Sequence, residues 1–175
     1  MGLDMYLQAI PVVDGYTFEE LIKYHEVADS FLDNVPDDLF PYFRNTNMGQ
    51  QLVEDIGQLR GANEVFDWIV YHTNYNELAD DEHEYIFERE ELETLLSLVN
   101  EILVTIRTKG FDDAQKDMLS NQGSLKDDKG RGTLIDTVSN REHYQDSLLE
   151  TKAILEKALN DYDWNDYYIF FHASY

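Results

Sequence analysis

Apolar and polar residues alternate at the start of the chain. Leu3, Met5, Leu7 and Ala9 fall on one side of an extended segment, and Pro11 ends or turns it, so a strand is expected here. Asp14-Gly15 marks a turn, and Thr17 with Glu20 three residues on forms a capping box. The helix it opens carries Phe18, Leu21, Ile22, His25, Ala28 and Leu32 on one face. The prolines of Val35-Pro36-Asp37-Asp38-Leu39-Phe40-Pro41-Tyr42-Phe43 rule out a long helix. A second helix is expected from about Met48 to His72, with Leu52, Ile56, Leu59, Phe66 and Ile69 as its stripe. Gly57 and Gly61 inside it each cost roughly 1 kcal/mol relative to Ala, and their expected use is a kink or the close approach of another element.

Tyr85-Ile86-Phe87 is a short strand-forming run. After it, Leu92, Leu95, Leu96, Val99, Ile102, Leu103 and Ile106 recur at helical spacing up to a stop at Gly110, the most regular pattern in the chain. Residues 112–137 hold Gly123, Gly130 and Gly132 among many Asp and Lys, which predicts a long mobile loop with a short helix near Asp113–Leu119. Ser139 caps a last helix to about Asn160, with Tyr144, Leu148, Leu155 and Leu159 inward. Tyr167 to Tyr175 is rich in strand formers. The pattern predicts a single α+β domain over residues 1–175, with about four helices packed on a small sheet that includes the N- and C-terminal strands.

Composition agrees with a packed core: 43% hydrophobic residues, 12 Tyr and 9 Phe in 175 residues. The absence of cysteine excludes disulfides and thiolate metal sites. No apolar run approaches the roughly 20 residues of a membrane span. Met1 to Met5 lack the basic and apolar regions of a signal peptide, so a cytoplasmic protein is expected.

Charge changes the picture. Thirty-six acidic residues against 13 basic ones leave a net −23. Negative charge on that scale argues against direct contact with nucleic acid or anionic membrane and favours a basic partner. The acids are organised. Glu26, Asp29 and Asp33 follow one another along the first helix, Glu142, Asp146 and Glu150 along the last, and Glu93 and Glu101 lie away from the leucines of the third. Asp80, Asp81, Glu82 and Glu84 form a separate run. Carboxylates on such a ladder lie roughly 6 Å apart. Phosphates advance roughly 3.4 Å per nucleotide along a duplex, so a helix can present charge at a density comparable to a nucleic-acid strand.

Chemistry is otherwise sparse. The five histidines form no H-x-H or H-E-x-x-H pair. His25, on an apolar helix face, is expected to be a satisfied core imidazole, and His83 to lie among solvated charge rather than in a metal site. Asp127-Asp128-Lys129-Gly130-Arg131-Gly132 has neither the calcium-loop spacing nor the phosphate-loop Lys-Ser/Thr, and no serine sits in a G-x-S-x-G elbow. No catalytic residue, cofactor or metal is expected.

Gly2-Leu3-Asp4-Met5-Tyr6-Leu7 resembles the opening of a family of small, mostly uncharacterised phage and prophage proteins. Arg60-x-Ala62-Asn63 with Phe66 and Trp68 is similar to that family's Arg-Lys-Ala-Asn helix, with Phe66 where the family usually has His. Phe87-x-Arg89-Glu90-Glu91-Leu92 resembles its strand-to-helix entry, and Gln122-Gly123 before the last helix fits loosely. The run from Asp163-Trp164 to Tyr175 resembles its aromatic C-terminal strand. The resemblance implies a phage or prophage origin and paired terminal strands, and no particular activity.

Together these observations lead to the expectation of a non-enzymatic phage protein acting in the host cytoplasm. It would inhibit a basic, nucleic-acid-binding defence nuclease, of the CRISPR or restriction class, by nucleic-acid mimicry. Its contacts would be Asp80, Asp81, Glu82, Glu84, Glu26, Asp29, Asp33, Glu142, Asp146 and Glu150. One alternative is a structural or regulatory phage module that binds protein through Tyr42, Phe43, Tyr167 and Phe171. A further alternative is an enzyme or small-molecule binder with the 112–137 loop as a lid. Homo-oligomerisation is compatible with each, with Gly57 and Gly61 as one place for helices to meet.

Overall fold

In the computed structural model, residues 4–28, 32–60, 63–77, 84–121 and 141–174 are described. The first and last strands form the centre of the sheet. β1 (Asp4–Pro11) pairs antiparallel with β6 (Tyr167–Ser174) along its whole length, from Asp4 opposite Ser174 to Pro11 opposite Tyr167. β4 (Glu54–Gln58) flanks β1, with a register shift between Leu7 and Gln8, and β5 (Glu84–Ile86) flanks β6. The order is therefore β4-β1-β6-β5, all antiparallel. A separate hairpin joins β2 (Arg44–Thr46) and β3 (Gly49–Gln51). The expected α+β class, with both terminal strands in the sheet, is the class found.

The strand period places opposite residues on opposite faces. On one face, Met5, Leu7, Ala9, Ile169, Phe171 and Ala173 enter a large core. It is shared with α2 (Asn63–His72), α3 (Arg89–Lys109), α4 (Phe111–Asn121) and α5 (Arg141–Asn160). On the other face, Ile10 and Phe170 meet a smaller core built from α1 (Phe18–Ala28), the residues around two 3-10 turns, and Leu52 and Val53.

Local signals in the sequence form as expected where they are self-contained. The Thr17 and Glu20 capping box closes reciprocally, with Thr17 N–H to Glu20 Oε2 at 2.8 Å and Glu20 N–H to Thr17 Oγ1 at 3.2 Å. Gly110, with φ 84°, ends α3 as expected, and Glu88 with Glu91 closes a second box at its start that the spacing alone did not announce. Leu92, Leu95, Val99, Ile102 and Ile106 are buried, while Leu96 and Leu103 pack at the edge of the core.

Two expectations are corrected. The helix expected over Met48–His72 exists only as α2; the stretch before it is β3, a turn and β4. Gly49 adopts φ 107° in the β2–β3 turn, which a helix does not permit, and β4 adds its backbone hydrogen bonds to the open edge of β1. Gly57 does serve close approach, but from a strand. A Cβ there would lie 2.5 Å from Cγ1 of Ile154 on α5, so the contact lies within the chain rather than between copies. Gly61 lies outside the described residues. The second correction concerns the expected loop. The short helix near Asp113 extends over Phe111–Asn121 as α4 and buries Ala114 and Met118 beneath α3. An ion pair between Lys109 and Asp117 joins the two helices, and residues 122–137 lie outside the described residues.

Candidate functional site: an acidic groove beside α3

The long amphipathic helix α3 buries one side and leaves its other side for chemistry. Two α2 residues, Trp68 and His72, stand beside that free side. They follow from the same spacing logic: Val65, Trp68 and Ile69 are the buried positions of α2, and His72 lies four residues, about one turn, beyond Trp68. The two rings stack with centroids 5.1 Å apart and planes 11° apart. His72 Nδ1 lies 3.0 Å from the Trp68 carbonyl, which can only accept, so the proton sits on Nδ1.

Across from this aromatic pair, Glu90, Glu93 and Glu101 of α3 line a groove of about 570 Å³, with Leu98 in its wall. Arg89 fixes Glu93 at 2.8 Å one turn away. Arg89 also lies 6.0 Å from the centroid of the Trp164 ring, which holds its guanidinium over the end of α5. The groove thus combines an aromatic and aliphatic wall with carboxylates, which suits the stem and charged head of a lysine or arginine side chain.

The structure disperses the acids singled out from the sequence. Glu26 and Glu84 come together at a small cleft of about 190 Å³ that also takes in Gln8, His25 and His172. His172 Nδ1 is 3.0 Å from Glu84 Oε1. His25 is satisfied as expected, its Nδ1 accepting from the backbone N–H groups of Leu52 and Val53 at 3.3 and 3.4 Å. Asp33 is exposed on the 3-10 turn Leu32–Asn34. Asp146 and Glu150 are exposed on α5, whose core residues pack on the opposite face of the sheet from those of α1. Asp29, Asp80, Asp81, Glu82 and His83, and the side chain of Glu142, lie outside the described residues. The first-helix and last-helix ladders therefore do not form one continuous stripe among the described residues.

Of the aromatics weighed as an alternative surface, Phe171 is 0% exposed in the main core, so it is no contact residue. Tyr42 and Tyr167 share a hollow of about 480 Å³ with Pro11, Pro41, Arg44 and Asp166. Among the described residues no three His, Asp or Glu side chains gather as a metal site, and no helix is long and apolar enough to cross a membrane.

The spacing of α3 places Glu93 and Glu101 away from its leucines, but nothing in it marks Trp68 and His72 as their neighbours. The i, i+4 aromatic pair on α2 was visible; what it faces depends on packing between helices. No protein-family model, no curated protein and no solved structure matches the chain.

Proposed function

We propose that this is a non-enzymatic binding protein that captures a basic, nucleic-acid-binding protein through its carboxylate surface, with the α2–α3 groove seating a lysine or arginine of the partner. A phage inhibitor of a host defence nuclease is the form of this reading that the resemblance of the chain favours. The observation that carries it is the placement of Glu90, Glu93 and Glu101 beside the Trp68–His72 stack. The net charge of −23 adds long-range attraction for such a partner and repulsion for nucleic acid itself. Because Glu26 lies on α1 and Asp146 and Glu150 on α5, which cover opposite faces of the sheet, one partner engages the α3 side or the α1 side rather than a single duplex-wide stripe.

The test is inhibition of a purified basic nuclease, followed across a salt series. Inhibition should weaken at least about tenfold between 0.05 and 0.2 M salt. The triple reversal E90K/E93K/E101K should cost about tenfold or more in affinity. Inhibition indifferent to both salt and reversal would sink the reading.

A second reading, a module that binds protein through an aromatic surface, is favoured by Tyr42 and Tyr167 sharing one hollow. Under it, Tyr42→Ala weakens binding and the triple reversal does not.

A further inference from the structure

The other flank of α3 is chemically unlike the groove. There α3 and α5 lie side by side and antiparallel. Phe111, just past the end of α3, meets Tyr144 near the start of α5 at 5.6 Å, whereas Arg89 at the start of α3 meets Trp164 past the end of α5. Between the helices runs a seam with a hollow of about 420 Å³. Its lining includes Asn100, Val104 and Arg107 from α3 and Gln145, Leu149 and Lys152 from α5. No carboxylate lines it, although the acidic groove, the Tyr42 hollow and the His172 cleft each carry at least one. Val104 is 61% exposed and Leu149 53% exposed, an aliphatic pair standing in water at the middle of the seam.

The same order occurs on both helices: an amide, an aliphatic residue four positions on, and a cation three beyond that. It reads Asn100, Val104, Arg107 on α3 and Gln145, Leu149, Lys152 on α5. Because the helices are antiparallel, each end of the seam holds one amide and one cation, with the aliphatic pair between. We infer that this seam is the interface of a homodimer, its occupant being a second copy of the same seam. A closed dimer brings a patch against itself. A two-fold axis lying along the seam or across it sets Arg107 and Lys152 of one copy over amides of the other, and sets Val104 and Leu149 against Val104 and Leu149. Arg107 then finds an amide oxygen as acceptor, Lys152 adds one to its 3.7 Å ion pair with Glu156 of the same helix, and the cations of the two copies do not face each other. Two chains of −23 repel over most of their surfaces, so the seam, whose hollow no carboxylate lines, is where they can approach.

This inference is independent of partner capture, and salt separates the two. Screening weakens attraction to a basic partner but relieves repulsion between two acidic copies, so the dimer tightens as salt rises. The experiment is sedimentation equilibrium of the full chain at about 0.05 and about 0.5 M NaCl. The expected result is a monomer–dimer equilibrium with Kd in the micromolar range, several-fold tighter at high salt. Val104→Asp and Leu149→Asp should each weaken it about tenfold or more. Both side chains stand outside the core, so the thermal transition of the monomer should be retained; Val104→Ser and Leu149→Ser provide milder versions. E90K/E93K/E101K, on the other flank, should leave the dimer intact.

The inference is overturned by a chain that is monomeric at both salt concentrations up to about 200 µM, a concentration well above a micromolar Kd. It is equally overturned by a dimer insensitive to both aspartates, or by one that salt dissociates. Binding of polyglutamate, abolished by Arg107→Glu, to a chain that stays monomeric would assign the seam to an acidic partner instead.

Discussion

On one face of the sheet, Met5, Leu7, Ala9, Ile169, Phe171 and Ala173 sit beneath the layer of α2, α3 and α5. On the other, Ile10 and Phe170 sit beneath α1 and two 3-10 turns, while Tyr6, Gln8 and His172 stay only partly covered. The strands are the same; their covering differs. Where cover is complete, the sheet presents mainly apolar side chains. Where it is partial, Gln8 hydrogen-bonds Asp55 at 2.6 Å and His172 pairs with Glu84 at the water's edge. Polar chemistry on the sheet is thus concentrated on the thin side, while on the thick side Glu54 and Tyr85 bond Tyr162 and Glu91. On the thick side it moves outward, to the free flanks of α3, where the acidic groove and the carboxylate-free seam lie on a helix anchored by a deep core.

Adjacent phenylalanines of β6 separate the two faces most sharply. Phe171 points into the thick layer and Phe170 into the thin one. Phe171→Ala should cost about 4 kcal/mol, because the three-helix layer cannot collapse into the gap. Phe170→Ala should cost about 2 to 3 kcal/mol, with the thin layer relaxing inward. Denaturant unfolding measures both. Hydrogen exchange should place the extra opening in Phe18–Ala28 for Phe170→Ala and spread it over the whole chain for Phe171→Ala. Equal costs with identical exchange patterns would remove the distinction.

A smaller effect probes how tightly α5 is seated. Gly57→Ala drives a methyl onto the Ile154 side chain and should destabilise the fold by about 1 to 3 kcal/mol. That corresponds to a fall in Tm of roughly 2 to 4 °C per kcal/mol for a chain of this size. Ile154→Ala in the same chain should recover part of that loss, read as a coupling in a double-mutant cycle. Additive losses would mean that α5 is not pressed on β4.

The least effect near neutral pH, and a growing one in alkali, comes from tyrosines in both layers. In the thick layer, burial pushes the Tyr144 hydroxyl well above its ordinary value, with Glu64 adding to it. Burial does the same for Tyr162, helped by its hydrogen bond to Glu54. On the thin side, Tyr16 is pushed up to about 12, chiefly by its 2.7 Å hydrogen bond to Asp38. Above about pH 10 the unfolded chain loses these protons while the folded chain keeps them, so the unfolded state binds fewer protons and stability falls as pH rises. Stability should be level from neutral pH to about 9 and then decline, with tyrosinate absorbance rising late. Tyr144→Phe should remove more of the decline than Tyr16→Phe, since the Tyr144 hydroxyl is the more deeply buried. Titration of all tyrosines near 10 with no loss of stability would contradict the assigned environments.

Features that depend on neighbours a few residues apart were legible in the sequence. The Thr17–Glu20 capping box, the stripe of α3, the stop at Gly110 and the alternation of β1 all form as their spacing requires, because each needs only local hydrogen bonds or one buried face. Tertiary structure decided the rest. Met48–Gln58 could serve a helix or a strand by its apolar spacing, and the unpaired edge of β1, some fifty residues distant in sequence, made it a strand (Tyr6 pairs with Gln58). The same sheet put Glu26 on α1 and Asp146 and Glu150 on α5 on opposite sides, because alternate residues of β1 and β6 feed two separate cores. The groove and the seam arose where α3 met α2 and α5. A helix pattern states which residues are buried, but not which neighbour stands beside its free flanks.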